Sequence, residues 1–546
     1  MSEVPVIIAE VTAADWTAAG QGWTHLPYLA RFRADRLPLS WEGFFTGRHH
    51  AVLESGRSGS FTIAVPAAAR ATVFFADGRV VMHAADGAHE ETSEKPLDHL
   101  RRWSREVRAP RLDGWPAFQG GLIALLGYEL ATQFEPVKSA PADVRAPLAS
   151  FLEAHEACVF DAAKRELTVV VLCPVGSPNS ALRAARARAL DLAARWDATC
   201  AQPAPTLPTS SAPAVPIAQS FAEPAFVRAV AHCQEYIAAG DTYQVNLSMR
   251  LEVAPVDPLL AYEVLRSANP SPYMGLVRLP GATLVCGSPE LLVEVSAGKI
   301  ASRPIAGTRP RGADESADLA WAQELSGDTK EKAEHLMLVD LLRNDVGRVS
   351  RPGTVHVPEF MAVERYSHVM HLVSQVEGQL QASAGAADVI RALFPGGTIT
   401  GAPKVRTMQV IAELEPVARG FYTGSLGWIG ASGDLCLNII IRSLWSADGR
   451  TFVQAGAGMS PTRCLPANMP RACARPRLLC SPPPARRSSH DRLAPRRVGH
   501  AARWRRGLGL GPGSVALRDL RRARRPHRLP RRSPGSPRPR LSAAWA

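Results

Sequence analysis

Two glutamates one helical turn apart are the first candidates for chemistry in this sequence. Residues 327–345 predict a helix, and Glu331 and Glu334, three residues apart, share one of its faces. Adjacent carboxylates repel each other unless a cation bridges them, and all-oxygen ligation suits Mg²⁺. The pair is therefore a candidate magnesium site. The alternative is a solvated face on which Lys330 and Lys332 balance the charge.

Three further segments hold residues that bind anions or move protons. Residues 303–312 contain two glycines and three arginines, and residues 394–404 form a Gly/Thr-rich loop that enters a helix near positions 402–403. Arginines, backbone amides and helix N-termini all bind carboxylates. Residues 367–371 contain two histidines, which suit general acid or base catalysis near neutral pH. Each segment has a structural alternative: a basic turn, a tight turn and a packed core histidine.

The segments that position these groups alternate between helical and strand-like patterns. Helices are predicted over 181–196, over 327–345 and from Pro224 to a C-cap at Gly240. In the 327–345 helix, Leu336, Val339 and Leu342 mark the predicted buried side. Strands are predicted over residues 168–173, 242–247, 283–286, 291–295, 437–444 and 451–454.

Composition divides the 546 residues into four regions. A first region, 1–200, is followed by a Pro/Ser/Thr-rich linker over 201–217 that has too few apolar residues to pack a core. A second folded region is predicted over 218–458. An Arg- and Pro-rich tail over 459–546 lacks hydrophobic periodicity and is predicted to be disordered.

Charge and cysteine usage narrow the class of protein. Residues 461–546 carry 22 Arg and two Asp, so their net charge is +20. Because the net charge of the whole chain is +13, the other 460 residues have a net charge of −7. That body gives no reason to expect nucleic acid or a membrane surface as its partner. Nine scattered cysteines without a C-x-x-C pair predict buried thiols in a reducing cytoplasm. The start of the chain does not match a signal peptide, and no apolar run is long enough to span a bilayer.

Several sequence blocks taken together resemble the chorismate-binding enzymes, which include anthranilate synthase component I and aminodeoxychorismate synthase component I. The blocks are PIAGTRPRG, KAEHLMLVDLLRNDVGRV, YSHVMHLVS, FPGGTITGAPKVR and VQAGAG. Residues 52–55 and 118–129 resemble the N-terminal region of that family. The resemblance implies an α+β fold in which antiparallel β-sheets pack against helices, and an enzyme that acts on chorismate.

The resemblance also implies roles for individual residues. Glu331 and Glu334 match carboxylates that bind Mg²⁺, which would hold the ring carboxylate of chorismate. Tyr422 and Arg442 match residues that hold the enolpyruvyl carboxylate, with the backbone of Gly458 nearby.

The remaining matches lie around the ring of the substrate. Gly307 and Thr398 match residues that line the ring, and Thr398 is grouped with the catalytic residues. Glu290 and His371 match residues that flank the reacting face. One of these two is expected to give a proton to the departing C4 hydroxyl, because hydroxide is a poor leaving group.

The sequence is less specific about which ring carbon of chorismate is aminated. Residues 240–247, 120–129 and 394–404 look more like aminodeoxychorismate synthases, which predicts amination of chorismate at C4. Ala306, however, stands where many of those enzymes have Lys, as it does in anthranilate synthases. Amination at C2, giving anthranilate, is therefore the alternative.

The source of ammonia is expected to be another protein. The chain has no Gly-x-Cys-x-Gly motif of the kind that carries a glutaminase nucleophile. The resemblance implies a separate glutamine amidotransferase subunit as the partner.

A second small-molecule site is implied in the N-terminal region. Six residues resemble the tryptophan-binding pocket of the family, and ordinary core packing is the alternative: Leu53, Glu54, Ser55, Pro272, Tyr273 and Met274.

The sequence departs from the family immediately after Gly458. Relatives continue there with an acidic helix that adds metal-site glutamates, whereas no Glu occurs here beyond residue 458. We expect a frameshift near codon 459, and little or no activity of the chain as written. A nucleic-acid-binding role for the Arg-rich tail is disfavoured, because it lacks Lys and holds only two aromatic residues, Trp504 and Trp545. An inactive family member that only engages the amidotransferase is a further alternative.

Overall fold

The α+β fold predicted from the sequence is confirmed. The computed structural model describes residues 5–55, 61–176, 178–205, 216–365 and 369–460. The predicted tail from 461 onward, most of the predicted linker and His368 lie outside these residues. None of the helices within them is both long and apolar enough to cross a membrane.

Two large sheets form the framework, with strands numbered β1–β25 in chain order. In the described part of the chain, the first sheet has 13 strands, ordered β1-β2-β11-β10-β4-β3-β14-β15-β24-β25-β13-β12, with β21 on β13. Their bounds are β1 Ile7–Glu10, β2 His25–Arg33, β3 His50–Glu54, β4 Phe61–Val65, β10 Glu156–Asp161, β11 Glu166–Pro174, β12 Ala218–Gln219, β13 Gln244–Val253, β14 Tyr273–Leu279, β15 Ala282–Ser288, β21 Gly401–Ala402, β24 Ser443–Ala447 and β25 Arg450–Met459.

The second sheet has 12 strands within the same residues, ordered β18-β20-β17-β16-β23-β22-β8-β9-β5-β6-β7, with β19 on β20. Their bounds are β5 Arg70–Phe74, β6 Val80–Ala84, β7 His89–Thr92, β8 Gly121–Leu126, β9 Ala149–Ala154, β16 Leu291–Ser296, β17 Lys299–Ser302, β18 Ile305–Pro310, β19 His356–Arg365, β20 Val369–Gln379, β22 Ser425–Gly430 and β23 Leu435–Asn438. Each sheet combines strands from before and after the predicted linker, and so does each of the two large hydrophobic cores.

Helices cover the sheets. They are α1 Ala13–Ala18, α2 Pro96–Glu106, α3 Pro178–Cys200, α4 Glu223–Ala239, α5 Pro258–Ala268, α6 Glu315–Gly327, α7 Thr329–Gly347, α8 Ala386–Leu393, α9 Gly397–Thr400 and α10 Lys404–Leu414, with a 3₁₀-helix over Tyr128–Gln133. The predicted C-cap is confirmed: Gly240 ends α4 in the left-handed conformation, with φ of 83°.

The helix α7 begins where the sequence indicated but faces the core differently. The Asp328 side chain accepts the backbone N–H groups of Lys330 and Glu331 and so caps its first turn. Val339 and Leu342 are buried as predicted, whereas Leu336 is 54% exposed. That part of the prediction is wrong, because the buried stripe runs through His335 and Leu338 instead.

One predicted strand is broken. Residues 437–444 were predicted as one strand, but β23 ends at Asn438 and β24 begins at Ser443. The chain leaves one sheet and enters the other in this interval, and Arg442 adopts a positive φ of 52°. Ile439 and Ile440 lie between the two strands and are buried as strand residues would be, so their apolar character does not reveal the change of sheet.

A buried arginine ties several of these elements together. The Arg419 side chain is 1% exposed and forms an ion pair with Glu415 at 2.7 Å. Its guanidinium also donates to the backbone carbonyls of Asn246 on β13 and Ile399 on α9, and to the hydroxyl of Thr423. Arg419 thereby fixes the Gly/Thr-rich loop against the first sheet.

Replacing Arg419 by Met should lower the free energy of unfolding by about 3–5 kcal/mol, because it leaves the Glu415 charge buried without its partner. Urea unfolding of the full chain measures this. The control is Arg343→Met, which breaks an exposed 3.4 Å pair with Asp340 and should cost less than about 1 kcal/mol. Equal losses in the two variants would contradict the assignment of Arg419 as a structural centre.

Candidate functional site

A buried carboxyl group lies at the centre of the candidate site. Glu290, at the entry to β16, is buried, and its Oε1 accepts a 2.6 Å hydrogen bond from the Thr398 hydroxyl. Burial raises the pKa of Glu290 to about 7, while Thr398 and the charge of Arg442 oppose that rise. The group therefore exchanges a proton near neutral pH.

His371 lies on β20 beside the same arginine. Its Nδ1 is 3.1 Å from the carbonyl oxygen of Gly307 and 3.1 Å from the hydroxyl of Thr308. A carbonyl only accepts, so Nδ1 carries the hydrogen and Nε2 is the basic nitrogen of the neutral ring. Burial lowers the pKa of His371; the Gly307 carbonyl opposes this, and the charge of Arg442 adds to it.

The two candidate metal ligands lie at one end of this group. Gly307 has a positive φ of 62°, and a Cβ built there would be 3.3 Å from an oxygen of Glu331. Glu334 accepts a 2.9 Å hydrogen bond from the Ser460 hydroxyl, just beyond β25. The nearest cations are Arg309, 3.6 Å from Glu331, and Lys330, 4.0 Å from Glu334.

These carboxylates fit Mg²⁺ as a site with few protein ligands. Within the described ranges, no group of three or more His, Cys, Asp or Glu side chains could hold a metal ion. Mg²⁺ commonly binds through one or two carboxylates and completes its shell with water and substrate oxygens. Glu331 and Glu334 match that donor set.

The opposite end of the site is a cradle built on two glycines of β25. A Cβ on Gly456 would lie 2.6 Å from Oδ1 of Asn246 and 2.9 Å from the hydroxyl of Tyr422. A Cβ on Gly458 would lie 2.4 Å from Nε2 of Gln244. Any other residue at either position would push these polar side chains away from β25.

Hydrogen bonds, close approaches and electrostatic effects connect six of the nine residues predicted from the sequence: Glu290, Gly307, Glu331, His371, Thr398 and Arg442. The other three reach this group through neighbours. Glu334 lies one helical turn from Glu331 and contacts Ser460, Tyr422 lies beside Gly456, and Gly458 is two residues from both Gly456 and Ser460.

Similarity to known proteins agrees with this geometry. Residues 52–461 match the family described as chorismate binding enzyme. The chain belongs to the chorismate-binding enzyme family. It is 43% identical over 416 residues to aminodeoxychorismate synthase component 1 of Bacillus subtilis, covering 76% of this chain and 87% of that protein. It is also 43% identical over 384 residues to anthranilate synthase component 1 of Streptomyces coelicolor, covering 68% and 74%.

Solved structures show the same fold. Anthranilate synthase component I from Streptococcus pneumoniae superimposes with a TM-score of 0.64 at 30% identity, covering 74% of this chain and 89% of that one. The isochorismate synthase MenF from Escherichia coli, at 17% identity, covers 85% and 98% with a TM-score of 0.61 and shows the fold alone. This chorismate-binding chain is therefore expected to be an enzyme that acts on chorismate.

Four polar residues of the candidate site were not predicted from the sequence. Thr308 contacts His371, Ser460 contacts Glu334, and Gln244 and Asn246 lie over the glycine cradle. The sequence did contain a signal for the two amide side chains, Gln244 and Asn246. They alternate with Val245 and Leu247 along a predicted strand, which puts both on one face.

A second cavity, of about 410 Å³, lies away from this site. All six residues predicted for a tryptophan pocket line its wall. They are Leu53, Glu54, Ser55, Pro272, Tyr273 and Met274. Phe118, Trp428 and Glu294 contribute to the same wall, and the two aromatic rings meet edge to face at 5.6 Å.

The carboxylate of Glu54, which was predicted to line this cavity, already accepts two hydrogen bonds. One oxygen of Glu54 accepts a 2.7 Å hydrogen bond from the Trp41 indole, and the other a 3.0 Å bond from Arg266. Glu294, by contrast, is exposed at the wall. Desolvation by the surrounding protein and the nearby charge of Asp434 raise its pKa. A ligand amine would therefore meet Glu294 rather than Glu54.

The carboxyl group of Glu290 should titrate near pH 7 and be protonated below that value. Replacing Thr398 by Val should raise its pKa further, because the lost hydrogen bond stabilises the anion. Difference infrared spectra against Glu290→Gln follow the carboxyl band. Thr308→Val, which removes a contact of His371 only, is the control. A Glu290 pKa near 4.5, or an equal shift in both variants, would contradict the assignment.

Proposed function

We propose that this chain aminates chorismate at C4 to give 4-amino-4-deoxychorismate. The observation that supports the proposal is a buried Glu290 with a pKa raised to about 7 and a His371 with a lowered pKa, both within electrostatic reach of Arg442. Chorismate carries one carboxylate on its ring and another on its enolpyruvyl side chain, so positive charge at both ends of a site would favour its binding.

The two ends would bind the substrate as follows. Arg442, with Tyr422 and the backbone of Gly458, would hold the enolpyruvyl carboxylate. Glu331 and Glu334 would hold Mg²⁺, which when bound neutralises the ring carboxylate. Gly307 and Thr398 would line the ring between them.

The two titratable groups divide the proton transfers. Protonated Glu290 gives its proton to the C4 oxygen as the C4–O bond breaks, so that water leaves instead of hydroxide. Ammonia forms the new C–N bond and releases one proton, which neutral His371 accepts at Nε2. The raised pKa of Glu290 favours its protonated form, and the lowered pKa of His371 favours its neutral form, so both shifts suit these roles.

Ala306 bears on where the nitrogen attaches. Its methyl group offers no amine that could attack the ring, so ammonia must add directly. We favour C4 because residues 240–247 and 394–404 resemble aminodeoxychorismate synthases. Amination at C2 with loss of pyruvate, giving anthranilate, is the alternative, since anthranilate synthases are among the similar proteins.

The ammonia donor in this proposal is a glutamine amidotransferase subunit. Two similar proteins are named as component 1 of their synthases, and this chain has no Gly-x-Cys-x-Gly motif. We propose the cytoplasm as the compartment, in keeping with its free cysteines.

Incubation with chorismate, Mg²⁺ and ammonium tests the reaction. Mass spectrometry separates the outcomes, because aminodeoxychorismate keeps the enolpyruvyl group and anthranilate has lost it. In the frame-corrected chain, Glu290→Gln should lower kcat at least about 100-fold, whereas Glu90→Gln on the exposed edge strand β7 should not change it. Formation of anthranilate would overturn C4 amination, and unchanged turnover in Glu290→Gln would overturn the role of Glu290.

The residues after 460 require a parallel assay. Resequencing across codons 450–480 shows whether a one-base correction restores an acidic segment after Gly458. We expect product from the corrected chain and none from the chain as written. Absence of the normal family ending from every alternative frame would refute the frameshift hypothesis. Normal turnover by the chain as written would refute its expected inactivity, and product from neither chain would refute the proposed reaction.

We also propose that the 410 Å³ cavity binds tryptophan. Its aromatic and apolar walls suit an indole ring, and Glu294 suits the protonated amine. The volume lies in the range of ordinary ligand pockets.

Calorimetric titration with tryptophan and with indole-3-propionate, which lacks the amine, tests this assignment. Glu294→Gln should weaken tryptophan binding about tenfold or more through loss of a charge-assisted hydrogen bond, and leave indole-3-propionate unchanged. Glu90→Gln is the control. Equal weakening of both ligands, or no tryptophan binding by the unmodified chain, would contradict the proposal.

A further inference from the structure

A third cavity, of about 350 Å³, lies on the first sheet. Its wall combines the loop before β3, the first turn of α5 and parts of β14 and β15. Within the described residues, its lining overlaps neither the 410 Å³ cavity nor the site residues predicted from the sequence. The volume lies in the range of ordinary ligand pockets, so the chemistry of the wall indicates which ligand it would take.

One side of this cavity is apolar and largely aromatic. Trp41 and Leu276 are 0% and 3% exposed and form its buried part. The ring of Phe45 lies 6.2 Å from that of Trp41 with an angle of 25° between their planes, and it stacks on the His50 ring with 3.9 Å between centroids. Nearly parallel rings of this kind give a surface on which a further aromatic ring packs.

The positive charge of the cavity comes from Arg278 on β14. Its side chain is exposed and forms no ion pair with any residue that the structure describes. Two acids, Glu42 and Asp257, lie at the exposed rim of the same wall. Asp257 caps α5 by accepting the backbone N–H of Leu260 at 2.7 Å. A guanidinium that is left without an acidic partner beside an apolar wall suits a ligand carboxylate.

His50 adds a hydrogen-bond acceptor beside this charge. Its side chain is largely buried, and its Nδ1 lies 3.0 Å from the carbonyl oxygen of Gly47. A carbonyl only accepts, so Nδ1 carries the hydrogen and Nε2 of the neutral ring is an acceptor. Burial lowers the pKa of His50; the Gly47 carbonyl opposes this and the charge of Arg278 adds to it. No described residue donates to Nε2, which therefore suits an N–H group of a ligand.

The register of the sheet places the two polar groups together. Arg278 pairs directly with His50 between β14 and β3. Such cross-strand neighbours share a face, with their Cβ atoms about 5 Å apart. A ligand that meets both groups therefore carries its carboxylate and its donor on neighbouring atoms. A hydroxyl in that position gives its single hydrogen to the carboxylate beside it, whereas an amine keeps a second N–H for His50.

We propose that this cavity binds an aromatic carboxylate that carries an amine on the adjacent ring carbon. Arg278 binds the carboxylate, Nε2 of His50 accepts the N–H, and the ring packs on Phe45 and Leu276. The simplest ligand of this class is 2-aminobenzoate. The inference does not depend on the proposed function, because every residue that carries it lies outside the candidate site.

Calorimetry on the full chain with 2-aminobenzoate and with benzoate, which lacks the amine, tests the inference. The unmodified chain should bind 2-aminobenzoate about fivefold more tightly than benzoate. Arg278→Met should weaken both ligands about tenfold or more and keep their ratio, because both carry the carboxylate. His50→Phe keeps a flat ring against Phe45 and should bring the ratio to about one while leaving benzoate affinity unchanged.

The matched control is Arg33→Met, which removes another exposed arginine of the first sheet, at the end of β2. It should leave both affinities unchanged. Arg278 is exposed, so its variant gives a result even if His50→Phe does not fold. The assay contains neither chorismate nor ammonia, so its outcome is separate from that of the amination assay.

Several results would overturn the inference. Failure of the unmodified chain to bind 2-aminobenzoate would do so. Binding that Arg278→Met leaves unchanged would place the ligand elsewhere, including in the candidate site. An equal loss in Arg33→Met would show attraction by general surface charge, and equal affinity of the unmodified chain for both ligands would refute the contact between the amine and His50.

Discussion

The buried pair of Arg419 and Glu415 is the constraint around which the site is organised. Glu415 accepts hydrogen bonds from the backbone N–H and hydroxyl of Ser248 on β13, while Arg419 donates to the carbonyl of Ile399, next to Thr398. One ion pair thus fixes both the strand that carries the amides and the loop that hydrogen-bonds Glu290. An apolar pair could fill the same volume but could not bind these backbone groups.

Small residues allow neighbouring strands of the first sheet to accommodate one another at the candidate site. Gly401 has a positive φ of 133°, and a Cβ there would lie 1.9 Å from the carbonyl oxygen of Gln244. Gly456 and Gly458 leave space for side chains of β13 in the same way. The chemistry depends on strands rather than long loops, so the reacting groups are held by extensive hydrogen bonding.

Sequence patterns predicted the features that depend on geometry within a single helix. The shared face of Glu331 and Glu334 and the end of α4 at Gly240 each follow from spacing within a single helix. Cross-strand neighbours do not leave such a pattern. The contact of Thr308 with His371, the amides over β25 and the change of sheet before Arg442 depend on register between distant strands. The engaged state of Glu54 likewise depends on Arg266, more than two hundred residues away.

The strand β16 runs between the candidate site and the wall of the 410 Å³ cavity. Glu290 immediately precedes this strand, and Glu294, four residues later, lines the cavity. If a ligand bound in the cavity shifts β16, it changes the free energy of binding at the candidate site. Such coupling is reciprocal, so the factor by which a cavity ligand alters chorismate affinity equals the factor by which chorismate alters the affinity of that ligand. Substrate supply would then set how strongly the chain responds to its effector.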